Sequence, residues 1–146
     1  MSLLTEPIET SASTVAAVMS VALVAAELTT TVTVAATLMG VHGVGSVVVL
    51  TDGSLAGIFT DRDVLRAVTV HADGADDLIE YWMTTNPATI CPGATLAEAL
   101  AVMIAGGFRH LPVVEAETLI GLVSMRDLCR TDARLSCSTV CARRAG

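Results

Sequence analysis

Gly57-Ile-Phe-Thr-Asp-Arg-Asp63 returns 64 residues later as Gly121-Leu-Val-Ser-Met-Arg-Asp127, and this echo decides the fold. Carried outward without a gap, the same offset lays Met19 on Met83, Thr31 on Thr95, Met39 on Met103 and Gly43 on Gly107. It also lays Leu55 on Leu119 and Arg66 on Arg130, and the substitutions between identities keep their character, as in Ile58/Leu122, Thr60/Ser124 and Val64/Leu128. A self-match this long marks a duplicated structural unit. Two copies of about 60 residues, each marginal on its own, are expected to pack against one another.

Within one copy the patterning gives strand–helix–strand–strand–helix. Thr31 to Val41 reads as an amphipathic helix: Val34, Leu38 and Val41 recur at helical spacing, and Val32, Ala35 and Met39 widen the stripe. Its counterpart opens with Thr95-Leu-Ala-Glu98, a capping box, ahead of Leu96, Ala99, Leu100, Met103 and Ile104. Gly43 and Gly107 stop these helices. The β-branched run Ser46–Leu50, then Asp52-Gly53, then Leu55–Phe59 predicts a hairpin, repeated as Leu111–Val114 and Leu119–Val123 around Glu115-Ala-Glu-Thr. Pro112 cannot donate a ladder hydrogen bond, so its strand presents that side at an edge or towards a cavity. Short helices from about Asp61 to Val70 and Met125 to Arg134 close the copies, and Asp73 to Trp82 reads as a helical connector. The expected division is an extension over 1–14, a first repeat over 15–72, the connector and second repeat over 73–134, and a loose tail over 135–146.

Composition removes several functions. All eight basic residues are Arg, so neither a Schiff-base lysine nor a phosphate-loop lysine is available. A formal charge of -7 and scarce aromatics argue against nucleic acid and anionic lipid as partners. The apolar stretch Val15–Ala26 is shorter than the roughly 20 residues that span a bilayer, and Glu6 and Glu9 precede it where a signal peptide carries positive charge. The expectation is a cytoplasmic protein. Its four cysteines, Cys91, Cys129, Cys137 and Cys141, lack the paired spacing of a zinc site with the scattered His42, His71 and His110, so no metal is expected.

Thr60-Asp-Arg-Asp63 and Ser124-Met-Arg-Asp127 each place a hydroxyl where a strand becomes a helix and a carboxylate three residues on. One reading is a helix cap, which satisfies orphan amide hydrogens. The other is a ligand site: the helix N-terminus with Arg62 or Arg126 attracts phosphate. Asp63 or Asp127 would then take both hydroxyls of a vicinal diol. Diol plus phosphate means a ribonucleotide.

At this point the repeat resembles the cystathionine-beta-synthase-type (CBS) domain pair, or Bateman module, over roughly Val15 to Arg134. The carrying stretches are Gly43-Val-Gly-Ser-Val-Val-Val49 and Gly57–Asp63, Met83-Thr-Thr-Asn-Pro87, Thr95-Leu-Ala-Glu-Ala99, Gly107-Phe-Arg-His-Leu-Pro-Val-Val114 and Gly121–Asp127. The resemblance implies an α+β fold: two βαββα repeats related by a pseudo-twofold axis and packed through their sheets, with two clefts for adenosine nucleotides. It further implies that Asp63 and Asp127 take ribose hydroxyls and that Thr60 and Ser124 lie near ribose or phosphate. Thr89 and Ile90 would border adenine, Leu111 and Pro112 would form another wall, and Arg109 and His110 would reach phosphate. His110 also reads as an ordinary strand-end histidine, and Arg109 as half of a salt bridge.

The first copy has Ser20-Val-Ala-Leu23 in place of Thr84-Thr-Asn-Pro87, and Gly45-Ser46 in place of Arg109-His110, so the clefts are expected to differ. The preferred one combines Thr89 and Ile90 with Asp127. No nucleophile elbow, metal-hydrolase or phosphate-loop pattern is present, and Asp61 of the first copy becomes Met125 in the second, so no enzyme is expected. The leading expectation is a regulatory module that needs no cofactor and binds AMP, ADP or ATP. It would form a homodimer and signal in trans to an effector protein. The competing expectation is a dimerisation scaffold with vestigial clefts.

Overall fold

The computed structural model describes residues 13–131. The predicted extension and tail, with Cys137 and Cys141, lie essentially outside them. In chain order the elements are α1 (Val15–Val18), β1 (Ala25–Glu27), α2 (Val32–His42), β2 (Ser46–Thr51), β3 (Ser54–Thr60) and α3 (Asp61–Val70), then a 3-10 turn (Ile79–Tyr81) and β4 (Thr84–Thr85). They continue with α4 (Leu96–Gly106), β5 (His110–Glu115), β6 (Thr118–Ser124) and α5 (Met125–Thr131). One sheet has the order β1-β2-β3-β4, and the other is the β5-β6 hairpin flanked by single bridges from Ile90 and Ser20. The fold is mixed α+β, and each repeat has its own core.

The cores are not built from contiguous sequence. The first, centred on Val47, Val49 and Phe59, takes in Ile79, Trp82 and Met83, which open the second repeat. The second, centred on Leu111, Val113 and Val123, takes in Val15, Val18 and Met19, which open the first repeat. Each repeat therefore lends its leading segment to the other. Backbone bonds repeat the exchange at matched positions: Ile79 N donates to Thr30 O at 2.8 Å and Val15 N to Ala94 O at 2.9 Å. Likewise β4 pairs with β3, and Ser20 bridges Leu122 on β6.

The duplicated glycines make room for this. A Cβ on Gly57 would stand 2.7 Å from both Met83 Sδ and the Thr84 carbonyl oxygen. One on Gly121 would stand 2.6 Å from Met19 Sδ. The identities Met19/Met83 and Gly57/Gly121 are thus two ends of reciprocal contacts.

Other expectations meet mixed outcomes. Thr95 N donates to Glu98 Oε2 at 2.8 Å and Glu98 N to Thr95 Oγ1 at 3.1 Å, completing the predicted capping box. On α2, however, the buried residues are Val32, Ala35 and Met39, whereas Val34 and Val41 are 51% and 76% exposed. Leu38 also packs on the first core, so the expected stripe holds for Val32, Ala35, Leu38 and Met39; because the helix is apolar almost all round, spacing alone wrongly added Val34 and Val41. The connector helix over Asp73–Trp82 is also corrected: only Ile79–Tyr81 coils, as a 3-10 turn. Its neighbours are tied to the start of α2, with Val32 N donating to Asp77 O at 2.9 Å and Thr33 N to Ala75 O at 3.0 Å. Carbonyls committed to another helix cannot build their own.

Both hairpins turn in two residues. Asp52 and Gly53 have φ of 50° and 77°, and Ala116 and Glu117 have 47° and 64°. A left-handed conformation costs a non-glycine residue roughly 1–2 kcal/mol, which Asp-Gly largely avoids. Grafting the first turn onto the second (Ala116→Asp with Glu117→Gly) should raise unfolding stability by about 1 kcal/mol, after allowing for glycine's extra freedom in the unfolded chain. A urea titration checks it.

Candidate functional site

The exchange determines which groups share a cleft. β4 lies along β3, so the turn after it stands opposite the start of α3. The first cleft, about 210 Å³, is lined by Thr60, Arg62 and Asp63 on one side, Thr84, Pro87 and Ala88 on the other, and Arg109 with His110 at one end. The second, about 540 Å³, is lined by Ala22–Val24, Ser124, Arg126 and Asp127, and again by Arg109 and His110. The first falls below the roughly 300–1,000 Å³ usual for small-molecule pockets, and the second lies within that range.

This corrects the preferred cleft. The turn that carries the proline belongs with Asp63, and Asp127 faces the segment from Ser20 to Val24. Thr89 is exposed, and Ile90 packs on the second core while bridging Val113. Leu111 and Pro112 are buried, Leu111 within that core. None of these four lines either cleft. The match at an offset of 64 residues identified equivalent residues but not which copy of each meets which.

Both acidic residues cap their own helices. Asp63, 5% exposed, accepts from Thr60 N at 2.9 Å and Thr60 Oγ1 at 3.2 Å through Oδ2, and from Arg66 Nη1 at 3.1 Å through Oδ1. Ser124 N and Oγ each donate to Asp127 Oδ2 at 2.8 Å. A carboxylate has about four acceptor positions. The cap therefore leaves Asp63 capacity on Oδ1, whereas the Thr60 hydroxyl is held in the capping box with Asp63.

The arginines also have partners inside the protein. Arg62 Nη1 donates to the Gly107 carbonyl at 3.0 Å, and Arg109 Nη2 lies 3.3 Å from Asp61 Oδ1. Arg66, already on Asp63, stacks its guanidinium 5.9 Å from the Trp82 ring centroid. Burial, with help from neighbouring Arg109, lowers the His110 pKa below its usual value, against the opposing pull of Asp61 and Asp127. His110 is thus largely neutral at pH 7 and brings no full positive charge to the clefts.

Comparing the repeats exposes one polar group that periodicity did not single out. In the first, Val48 N donates to the Val24 carbonyl at 3.0 Å. The matched pair in the second is Pro112 and Ala88, and proline has no N–H to give. The rungs Ile90 N to Pro112 O (3.0 Å) and Val114 N to Ile90 O (2.9 Å) form, and the next is missing. Among the described residues no backbone donor meets the Ala88 carbonyl, and Ala88 lines the first cleft. On its other side β5 loses nothing: Leu122, opposite Pro112, exchanges its bonds with Ser20. Pro112 itself was the available signal, since its missing donor was visible in the sequence.

Among the described residues no cluster of three or more His, Cys, Asp or Glu could hold a metal ion, and no helix is long and apolar enough to cross a membrane.

A family profile described as "CBS domain" matches residues 15–70 and 75–134. The CBS domain-containing protein YhcV of Bacillus subtilis is 36% identical over 99 residues, covering 67% of this chain and 70% of YhcV. An uncharacterized 17.7 kDa protein of Acidianus ambivalens is 35% identical over 102 residues, which span 68% of this chain and only 61% of that protein. Among solved structures, the CBS-domain containing protein ATU1752 from Agrobacterium tumefaciens superposes with a TM-score of 0.77 at 29% identity, covering 82% of this chain and 92% of that one. Two more distant structures, each 23% identical, are complexes: CBSX2 with AMP (TM-score 0.72, 81% of this chain and 94% of that) and the MJ0100 domain pair with 5-methylthioadenosine and S-adenosyl-L-methionine (0.74, 82% and 94%).

Proposed function

The chain belongs to the CBS-domain family, and from that premise we propose that it is a regulatory module whose first cleft binds an adenine nucleotide. One observation carries the reading: the exchanged leading segment brings Ala88, whose carbonyl meets no backbone donor among the described residues, into the cleft lined by Thr60 and Asp63, with Arg109 at its end. A carbonyl accepts the 6-amino group of adenine, a carboxylate accepts ribose hydroxyls, and a guanidinium meets phosphate. AMP, ADP and ATP share all three features. The complexes of CBSX2 with AMP and of MJ0100 with 5-methylthioadenosine and S-adenosyl-L-methionine are consistent with this; at 23% identity the likeness concerns the fold.

The module would act without chemistry of its own, by favouring one arrangement over another when ligand binds. The exposed Val34, Val41, Leu65, Val68 and Ile104 on its helices suit a homodimer, through which a signal passes to an effector protein. A cytoplasmic setting fits a free nucleotide ligand. The second reading, a scaffold with vestigial clefts, is favoured by the small first cleft and by the caps that Asp63 and Asp127 already make.

Titration calorimetry separates the two. Adenosine should bind, and inosine, which lacks the amino donor, should bind at least about tenfold more weakly. Pro112→Val restores the donor that Val48 supplies in the first repeat, so it should tie up the Ala88 carbonyl and weaken adenosine about tenfold. Silence towards AMP and adenosine at millimolar concentration would leave the scaffold.

A further inference from the structure

Asp61 and Arg109 occur in one repeat each: their matched positions hold Met125 and Gly45. They meet across the boundary between repeats, Arg109 Nη2 to Asp61 Oδ1 at 3.3 Å, and both residues line both clefts. Asp61 is fixed where it stands, because the same Oδ1 accepts from Arg62 N at 2.8 Å and Asp61 N donates to Gly45 O at 3.1 Å. Gly45 leaves the space above it to His110, whose ring would make ordinary contact, 3.5 Å, with a Cβ there. The repeats have diverged in complementary ways at their shared centre: one gives the anion and a gap, the other the cation and a ring.

We propose that Asp61 is a built-in competitor for the ligand's phosphate: its carboxylate holds Arg109 across the repeat boundary, and a bound nucleotide's phosphate displaces it. The inference rests on the nucleotide reading above and adds a regulatory consequence to it. Adenosine fills the Ala88–Asp63 part of the cleft with the tie intact. AMP breaks the tie as it binds, so the two ligands leave the repeats differently connected. A dianion with several acceptor oxygens outcompetes one carboxylate oxygen for a guanidinium. The pair is more than half exposed on both sides, so its resistance is modest and screened by salt.

The test compares wild type with Asp61→Asn, an exposed isosteric change, by calorimetry with adenosine and AMP at low salt. The ratio of AMP to adenosine affinity should rise about fivefold in D61N. In wild type the Arg109 Nε–H resonance should move on adding AMP and stay in place with adenosine. A ratio unchanged in a D61N protein that binds both ligands would overturn this inference and leave the nucleotide reading standing. An Arg109 signal that moves equally with either ligand would do the same. Failure of both proteins to bind either ligand would overturn the reading and the inference together.

Discussion

Asp63→Asn is expected to weaken adenosine and AMP alike by roughly ten- to a hundredfold while leaving the protein folded. In the proposed site the Asp63 carboxylate takes the ribose hydroxyls while Asp61 is paired with Arg109, and hydrogen bonds to a charged group contribute about 1.5–3 kcal/mol. Asparagine keeps the shape and one acceptor oxygen, so the Thr60 N–H bond of 2.9 Å can persist. It loses the charge that holds Arg66 at 3.1 Å and that helix α3 favours near its N-terminus. Stability should therefore fall by about 1 kcal/mol, the scale of a weakened cap. The control is Asp127→Asn. It weakens an equivalent cap, yet Asp127 faces Ala22–Val24, where the Val24 carbonyl is already taken by Val48, so adenosine affinity should change little. Calorimetry on both variants, with circular dichroism to verify folding, reads the difference. Equal losses in the two would place the sugar in both clefts or neither.

The second large effect comes from a residue that lines neither cleft. Gly57→Ala puts a methyl group 2.7 Å from Met83 Sδ and from the Thr84 carbonyl oxygen. The flexible thioether can yield, but the backbone oxygen can move only if β4 leaves β3. Overpacking of this kind costs about 1–3 kcal/mol. Because Thr84 lies on that strand and Pro87 and Ala88 follow it directly, adenosine affinity should fall with stability although no cleft residue has changed. Gly121→Ala crowds Met19 in the matched place and should cost similar stability, but it displaces the wall of the second cleft and leaves the first. Urea unfolding and adenosine titration on the two variants check both halves: similar stability losses, unequal affinity losses.

Much of this was legible in the chain. The doubled motif gave two repeats, Asp52-Gly53 gave a hairpin, Thr95 to Glu98 gave a capping box, and Pro112 gave a missing donor at the position matched by Val48, whose N–H bonds the Val24 carbonyl. Local rules sufficed because each of these is settled within a few residues. The pairing of Asp63 with the Pro87 turn was not legible. An internal match is indifferent to whether a leading segment packs on its own hairpin or on its twin, and only three-dimensional packing chooses. The buried face of α2 was hidden for a different reason: with exposed Val34 and Val41 as apolar as core-facing Val32, Ala35, Leu38 and Met39, no polar face marks the boundary. The ties of Arg62 to Gly107 and Arg109 to Asp61 span 45 and 48 residues and follow no periodic pattern.

The central claim is that the exchanged segment and Asp63 form one adenosine site. A crystal structure of the protein grown with AMP tests it most directly. The account predicts adenine against the Ala88 carbonyl, ribose hydroxyls on Asp63 and phosphate at Arg109, with Asp61 released. AMP lodged instead between Val24 and Asp127, or crystals without nucleotide at saturating AMP, would contradict it.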